Sequence, residues 1–259
     1  MNGYNSQARF PIGAAAGLRA VILAGGKGTR LAPYTASFPK PLVPLGDVPI
    51  LEILIRRLLQ YGISDITLTL GHLAELIIAY MQHRRCLSDQ CTLRYVEEIE
   101  PTGTAGSIAH VPFLDRTFLV MNGDLLTNID FNALVEFHRE QNALLTIAVR
   151  KREVKIDLGV IELNGGCTVA RYLEKPRNTH IVSMGIYVYE PRVLQYIEPG
   201  KYLDFPDLVL RLLGARERVC AFDSDCTWLD IGRPDDYARA QEIFAAKKED
   251  FIKTDLVSV

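Results

Sequence analysis

Short apolar runs rich in aliphatic and β-branched residues alternate along the chain with stretches whose apolar residues recur every three or four positions. That is the rhythm of buried strands separated by helices. Residues 19–24 (RAVILA) read as a buried strand. Ile50, Ile53, Leu54, Leu58 and Tyr61 fall at helical spacing over 50–61, and the ITLTL of residues 66–70 follows as a strand, which completes a βαβ unit. The same rhythm predicts a helix over 73–82, a strand over 93–96, a helix near 106–110, a strand over 117–121, a helix over 132–141 and a strand over 144–150. Beyond residue 150 the texture is strand-rich, with strands predicted over 159–163, 169–173 and 183–189 before helices over 192–197, 205–213 and 234–248. The pattern is that of an α/β protein with a wound, mostly parallel sheet flanked by helices and a second lobe laid on the same sheet. No Pro/Gly/Ser linker or repeat separates the parts. We therefore expect one domain over 18–248, with lobes of about 18–150 and 151–248, an N-terminal extension over 1–17 and a tail over 249–259.

Charge narrows the partners. The 259 residues carry 29 Lys and Arg against 31 Asp and Glu, a net charge of −2, with no run of five or six like charges. Such a balance lacks the basic field that holds a nucleic-acid backbone. No stretch approaches the ~18 apolar residues that span a bilayer, and residues 1–17 lack the apolar block of a secretion signal. Neither nucleic acid nor membrane is expected as a partner, and the expected location is cytoplasmic. The five cysteines (Cys86, Cys91, Cys167, Cys220, Cys226) form no CxxC pair and have no His at ligand spacing, which argues against zinc and a disulfide framework. Cys86 and Cys91 are near enough to close a short loop, with free thiols in a reducing compartment as the favoured reading. His72, His83, His110, His138 and His180 show no spacing logic and are assigned no chemistry.

Candidate chemistry gathers after the first strand. Leu23-Ala24-Gly25-Gly26-Lys27-Gly28-Thr29-Arg30-Leu31 puts three glycines within four positions, which lets the backbone turn tightly and aim several N–H groups at one anion. A plain βα turn is the alternative, although it needs one glycine more often than three. Two other phosphate loops fail. A Walker loop wants Gly-Lys-Ser/Thr, but Gly28 follows Lys27, and a dinucleotide fingerprint wants a third glycine where Leu31 stands. Downstream, Phe38-Pro39-Lys40-Pro41-Leu42-Val43-Pro44 sets Lys40 between prolines that restrict its backbone, so its ammonium is aimed; a solvated lysine in a stiff loop is the bland reading. Asp124 falls at the carboxyl end of a predicted strand, where open α/β sheets bind ligands. Together with Asp230 it offers the few hard oxygens that Mg²⁺ takes while keeping waters and phosphate oxygens. A turn cap for Asp124 and a core aromatic for Trp228 are the structural alternatives.

The GG-x-GTRL and x-PKP-L-x-P stretches together resemble the signature of the sugar-1-phosphate nucleotidylyltransferases, also called sugar nucleotide pyrophosphorylases. Residues 98–106 (EIEPTGTAG) are similar to the family's E-x-E-P-L-G-T-A-G loop, with Thr102 in place of the usual leucine. Asn122-Gly123-Asp124 resembles its G-D, Glu174-Lys175-Pro176 its E-K-P, and Trp228-Leu229-Asp230-Ile231-Gly232 its W-x-D-I-G. The resemblance implies a Rossmann-like sheet of the nucleotide-diphospho-sugar transferase fold, with the strand-rich part as sugar-binding lobe. It implies catalytic roles for Arg30 and Lys40. It assigns nucleotide binding to Leu23, Ala24, Gly25, Gly26, Gly28, Thr29, Glu98, Gly103, Thr104 and Gly123. Sugar binding falls to Asn122, Gly159, Glu174, Lys175, Gly185 and Trp228, and the cofactor Mg²⁺ to Asp124 and Asp230. The implied partners are a nucleoside triphosphate and a sugar 1-phosphate, together with a second copy of the chain in a homo-oligomer of open number. Longer relatives carry a C-terminal β-helix or acyltransferase module, which is not expected after residue 248.

In the implied reaction the phosphate oxygen of a sugar 1-phosphate attacks the α-phosphorus of a nucleoside triphosphate in line, and pyrophosphate leaves. The resemblance has the amides of Gly25 to Gly28 cradle the triphosphate, Arg30 brace the leaving pyrophosphate, Lys40 meet the α-phosphate and Lys175 hold the sugar's phosphate. Glu98 falls where relatives set a polar side chain against the base. A carboxylate can accept from both N1–H and the exocyclic amine of guanine, so GTP is the expected donor, with Glu97 and Glu100 as alternative base-facing carboxylates. Residues 121–131, 137–140 and 228–237 most resemble the mannose- and heptose-1-phosphate guanylyltransferases. The alternative pairing is dTTP or UTP with glucose 1-phosphate. Rival readings from other classes are a non-catalytic, regulatory sugar-nucleotide binder and a dinucleotide-binding oxidoreductase.

Overall fold

A computed structural model describes residues 13–84, 87 and 89–252. Its strands are β1 Arg19–Ala24, β2 Pro44–Leu45, β3 Val48–Pro49, β4 Asp65–Leu70, β5 Thr92–Glu97, β6 Phe118–Asn122, β7 Leu125–Thr127, β8 Leu145–Lys155, β9 Gly159–Leu163, β10 Val169–Glu174, β11 Arg177–Tyr189, β12 Val219–Asp223 and β13 Trp228–Asp230. The helices are α1 Ile50–Gln60, α2 Ala74–His83, α3 Gly103–Gly106, α4 Phe131–Glu140, α5 Phe205–Gly214, α6 Pro234–Ala246 and α7 Lys248–Phe251. The main sheet runs β12-β8-β11-β6-β1-β4-β5; β11 is antiparallel to both neighbours and the other pairings are parallel. This is the wound, mostly parallel α/β sheet that the hydrophobic pattern predicts.

A sheet covered on both faces needs strands without a wet side, and β1 shows why the run 19–24 is continuous. Ala20, Ile22 and Ala24 enter one core with Ile53, Leu54 and Leu58 of α1, while Val21 enters the other with Phe118, Val120, and Leu208 and Leu212 of α5. Helix α4 starts where Asp130 accepts from the N–H groups of Asn132 (2.9 Å) and Ala133 (3.2 Å). Ala15 is fully buried, and its N–H reaches Asn132 Oδ1 at 3.0 Å. The remainder of the expected extension (1–12), Cys86 and residues 253–259 of the expected tail lie outside the described residues.

The structure lengthens two elements and reshapes two others. Strands expected over 144–150 and 183–189 are the inner halves of β8 and β11, whose outer halves pair from Arg150↔Val182 to Lys155↔Arg177. Neither β6 nor β12 follows them outward, and β9 and β10 pair only with each other. The strand-rich part is therefore an arm projecting beyond the sheet, not a layer on it. The outer part of β8, RKREVK, escaped the strand pattern because an arm wet on both faces imposes no alternation. The helix expected near 106–110 is the short α3 running into a 3₁₀ turn, and that expected at 192–197 is a 3₁₀ turn, Pro191–Tyr196. Among the described residues, no helix is long and apolar enough to cross a membrane.

Candidate active site

The carboxyl ends of β1, β4 and β6 open into one cleft of about 380 Å³. Its floor begins where β1 stops. The loop after Ala24 is held on one side by Gly25 O, which accepts from His72 N (3.3 Å), and on the other by Leu23 O, which accepts from Gly123 N (2.8 Å). Gly28 lies at φ +64°, and a Cβ there would stand 3.0 Å from Lys40 Cβ. A side chain at this point would both strain the turn and push on Lys40. Gly28 O accepts from Leu31 N (2.9 Å) and Thr35 Oγ1 (2.7 Å), which fixes the turn that presents Arg30.

Lys40 occupies a 3₁₀ turn, Lys40–Leu42, between Pro39 and Pro41, and is buried. Its Nζ is ion-paired with Asp124 Oδ2. Asp124 follows β6, and its backbone oxygen accepts from Ile231 N at 3.0 Å, which ties it to the end of β13. Since β13 pairs with β7 through Asp230↔Leu125, the two aspartates separated in sequence arrive side by side. Loss of hydration within the surrounding protein, and next the negative charge of Asp124, push the Asp230 carboxyl above its ordinary range, although the residue is solvent-accessible at the rim.

Asp124 Oδ1 is buried without a hydrogen-bond partner. An orphaned carboxylate oxygen is costly, and a cation between Asp124 and Asp230 would satisfy it and relieve their repulsion. Among the described residues, no group of three or more His, Cys, Asp or Glu side chains gathers to hold a metal. The pair therefore suits a hard ion that takes a few carboxylate oxygens and completes its shell with phosphate and water, the habit of Mg²⁺ rather than zinc.

At the cleft's other end Glu98 meets the loop. Thr102, buried at the start of α3, donates its hydroxyl to Glu98 Oε1, so the residue that departs from the expected leucine braces the carboxylate. Leu23, Ala24, Gly25, Gly26, Gly28, Thr29, Arg30, Lys40, Glu98, Gly103, Thr104, Asn122, Gly123 and Asp124 all line this one cleft. The expected nucleotide set and both expected catalytic residues thus converge. Of the expected sugar set, Asn122 alone lines it with them. Gly185, at φ +72°, packs against Asn122, where a Cβ would lie 2.6 Å from Nδ2. Trp228 and Asp230 border an adjoining hollow. Gly159, Glu174 and Lys175 ride out on the arm; Gly159 faces the Tyr172 ring, and Glu174 accepts from Tyr172 Oη at 3.0 Å.

Two wall residues went unread in the sequence. Tyr202 and Asp204 border the cleft in the loop before α5, Tyr202 donating to Asp204 Oδ2 (2.6 Å) while Asp204 accepts from Thr104 N (3.1 Å). No motif marks them. They are near the cleft because Leu203 N donates to Thr102 O (2.8 Å), a contact between distant segments.

Residues 19–247 match the family model described as nucleotidyl transferase. The chain belongs to the nucleotidyl transferase family. Among curated relatives of this nucleotidyl transferase are the UTP–glucose-1-phosphate uridylyltransferase of Synechocystis sp., 33% identical over 86% of this chain and 62% of the relative, and the mannose-1-phosphate guanylyltransferase of Mycobacterium tuberculosis, 32% identical over 85% and 62%. The chain thus spans about 62% of the length of these relatives. Among solved structures it is similar to HddC from Yersinia pseudotuberculosis, with a TM-score of 0.67 and 27% identity over 88% of this chain and 99% of that one. HddC has also been solved in complex with GMP-PN.

Proposed function

We propose that this nucleotidyl transferase moves the nucleoside monophosphate of GTP onto a sugar 1-phosphate of the mannose or heptose type, releasing pyrophosphate. The observation that carries the reading is the pairing of buried Lys40 with half-buried Asp124 in the same cleft as the Gly25–Gly28 loop, with Asp124 Oδ1 left over. Two anions must approach each other in this reaction, so catalysis is chiefly positioning and charge neutralisation. The loop amides bind the triphosphate, Lys40 neutralises the α-phosphate, and Arg30 steadies the departing pyrophosphate with its fork of donors. Asp124 and Asp230 would hold Mg²⁺, which when bound would supply further charge neutralisation to the phosphates. No protein nucleophile is required.

The GMP-PN complex of HddC and the guanylyltransferase relatives support guanine as the base; Glu98, an acceptor-only carboxylate in the cleft lining, is the residue that would read it. The uridylyltransferase relative supports a second reading, the same transfer from UTP to glucose 1-phosphate. Free thiols at Cys91, Cys167, Cys220 and Cys226 suit a cytoplasmic setting. Exposed Leu158, Ile161 and Tyr172 on the arm suit association with a second copy. The test is pyrophosphate release in Mg²⁺ with GTP, UTP, dTTP, CTP and ATP, each against mannose, glucose and heptose 1-phosphates, with Lys40→Ala as control. Release favouring GTP supports the reading, release favouring UTP or dTTP transfers it to the second, and silence with every pair overturns both.

A further inference from the structure

A second hollow of about 580 Å³ adjoins the cleft and shares Arg30 and Gly232 with it. Its wall is built from the root of the arm and the start of α6. Arg150 and Arg152 come from β8, Arg233 from the residue before α6, and Arg239 from within it. None of these four arginines borders the cleft. Among the described residues, no carboxylate is ion-paired with Arg152, Arg233 or Arg239, and Arg150 donates to the Cys226 carbonyl. Three acidic residues share this lining: Glu153 is engaged by Arg177 at 2.9 Å, while Asp230 and Asp236 lie at the Gly232 end beside Arg30, where Asp230 is one of the two carboxylates suited to the cation. Trp228 forms one side, its ring pinned by the Nε1–H bond to Met184 O at 2.8 Å.

Convergent guanidinium groups without carboxylate partners repel one another, and their forks are matched to phosphate or carboxylate oxygens. The reacting phosphates already have the glycine loop, Arg30 and Lys40 inside the cleft. The hollow joins the cleft at Arg30 and Gly232, and its lining brings Trp228 together with the four arginines. An acceptor whose C1 phosphate enters the cleft to reach the α-phosphate at Lys40 leaves the rest of its sugar for the adjoining hollow, beside Trp228 and the arginines.

We propose that this hollow is a subsite for a second anionic group, a phosphate or a carboxylate, carried by the sugar, so that the acceptor is a sugar 1-phosphate with a further negative charge. The inference rests on the nucleotidyl-transfer reading and narrows its acceptor class. A hydrogen-bonded charge pair of this kind makes a difference of about tenfold or more between anionic and neutral acceptors.

The experiment compares kcat/KM for glucose 1-phosphate, glucose 1,6-bisphosphate and glucuronic acid 1-phosphate, and for mannose 1-phosphate and mannose 1,6-bisphosphate, with each nucleoside triphosphate and Mg²⁺. The full chain, Arg152→Ala, Arg239→Ala and, as a control on the same arm, Lys155→Ala are assayed in parallel. At least one anionic acceptor is expected to exceed its neutral counterpart about tenfold. Preference for the bisphosphates names a phosphate, and preference for the uronic acid names a carboxylate. In Arg152→Ala and Arg239→Ala the ratio is expected to fall toward one, while Lys155→Ala keeps it. Equal use of neutral and anionic acceptors by the full chain, or a ratio untouched by either arginine substitution, overturns the proposal. Failure of the transfer reading looks different: no pair releases pyrophosphate. The subsite is then judged by calorimetry with glucose 1,6-bisphosphate and glucose 1-phosphate, where tighter binding of the bisphosphate that Arg239→Ala weakens supports it, and equal or absent binding overturns it.

Discussion

The hydroxyl of Thr102 is hydrogen-bonded to Glu98 Oε1, so this cleft-lining carboxylate is held from within its own loop. Held this way, Glu98 presents an acceptor-only edge, which suits the paired donors of guanine and no other standard base. Replacing Glu98 by Gln turns one acceptor into a donor while keeping shape. Loss of a hydrogen bond to a charged group is worth about 1.5–3 kcal/mol, so kcat/KM for GTP is expected to fall by roughly 10–100-fold in Glu98→Gln, with UTP affected far less. Steady-state kinetics with both nucleotides decides it; parallel losses would remove Glu98 as base reader.

Lys40 and Asp124 meet across 84 residues of sequence, and their pairing is the cleft's chemical centre. Lys40→Ala is expected to lower turnover about 10²–10³-fold, the effect of removing one donor aimed at developing charge. A near-wild-type rate would leave Lys40 only a packing role.

The orphaned Asp124 Oδ1 is the observation behind the proposed cation at the same centre. Stripping divalent ions with EDTA is expected to stop pyrophosphate release and added Mg²⁺ to restore it. In Asp124→Asn the Mg²⁺ concentration for half-maximal rate should rise. Activity that persists through exhaustive chelation contradicts the assignment.

How much of this was legible follows from which forces left a trace in the residue order. Burial on both faces wrote β1 into the sequence as an apolar run and β4 as aliphatic residues alternating with threonines, and backbone geometry wrote the glycine loop and the prolines around Lys40. Those local demands carried the nucleotide half of the site. The arm left no alternation because neither of its faces is buried, so the projection of Glu174 and Lys175 away from the cleft was invisible. Tyr202 and Asp204 were invisible for another reason: their place depends on Leu203 pairing with Thr102, a long-range contact with no local signature.

One buried network was equally unreadable, because Glu52 and Arg56 look like the wet face of α1. Both are buried; Glu52 Oε1 accepts from Arg56 Nε (2.9 Å) and Arg84 Nη2 (2.7 Å), and Tyr80 donates to Oε2. Burial pulls the Glu52 carboxyl upward, but the bonds from Tyr80, Arg84 and Arg56 outweigh it and hold the group below its ordinary value. Glu52→Gln leaves Arg56 charged and buried without its counter-ion. Breaking a buried pair costs about 3–5 kcal/mol, and urea unfolding is expected to register a loss of that size. A change under 1 kcal/mol would mean that water reaches Arg56 readily.

His138 sets a pH dependence on the fold. It is buried, with Nδ1 2.8 Å from Thr146 Oγ1 and Nε2 3.1 Å from Glu190 Oε1. Burial lowers its pKa, and the attraction of Glu190 only partly opposes this. The imidazole is therefore neutral in the folded chain at a pH where the unfolded chain, with its ordinary value of about 6.5, already takes up a proton. Between the two values the unfolded state binds more protons, so stability rises with pH; it is fully present above about 6.5 and is lost as pH falls toward the folded value. Melting temperatures from pH 7.5 down to 5.5 should decline more steeply for the natural chain than for His138→Gln, which keeps a polar partner for Thr146 but does not titrate. Parallel declines in the two proteins would assign the acid sensitivity to other groups.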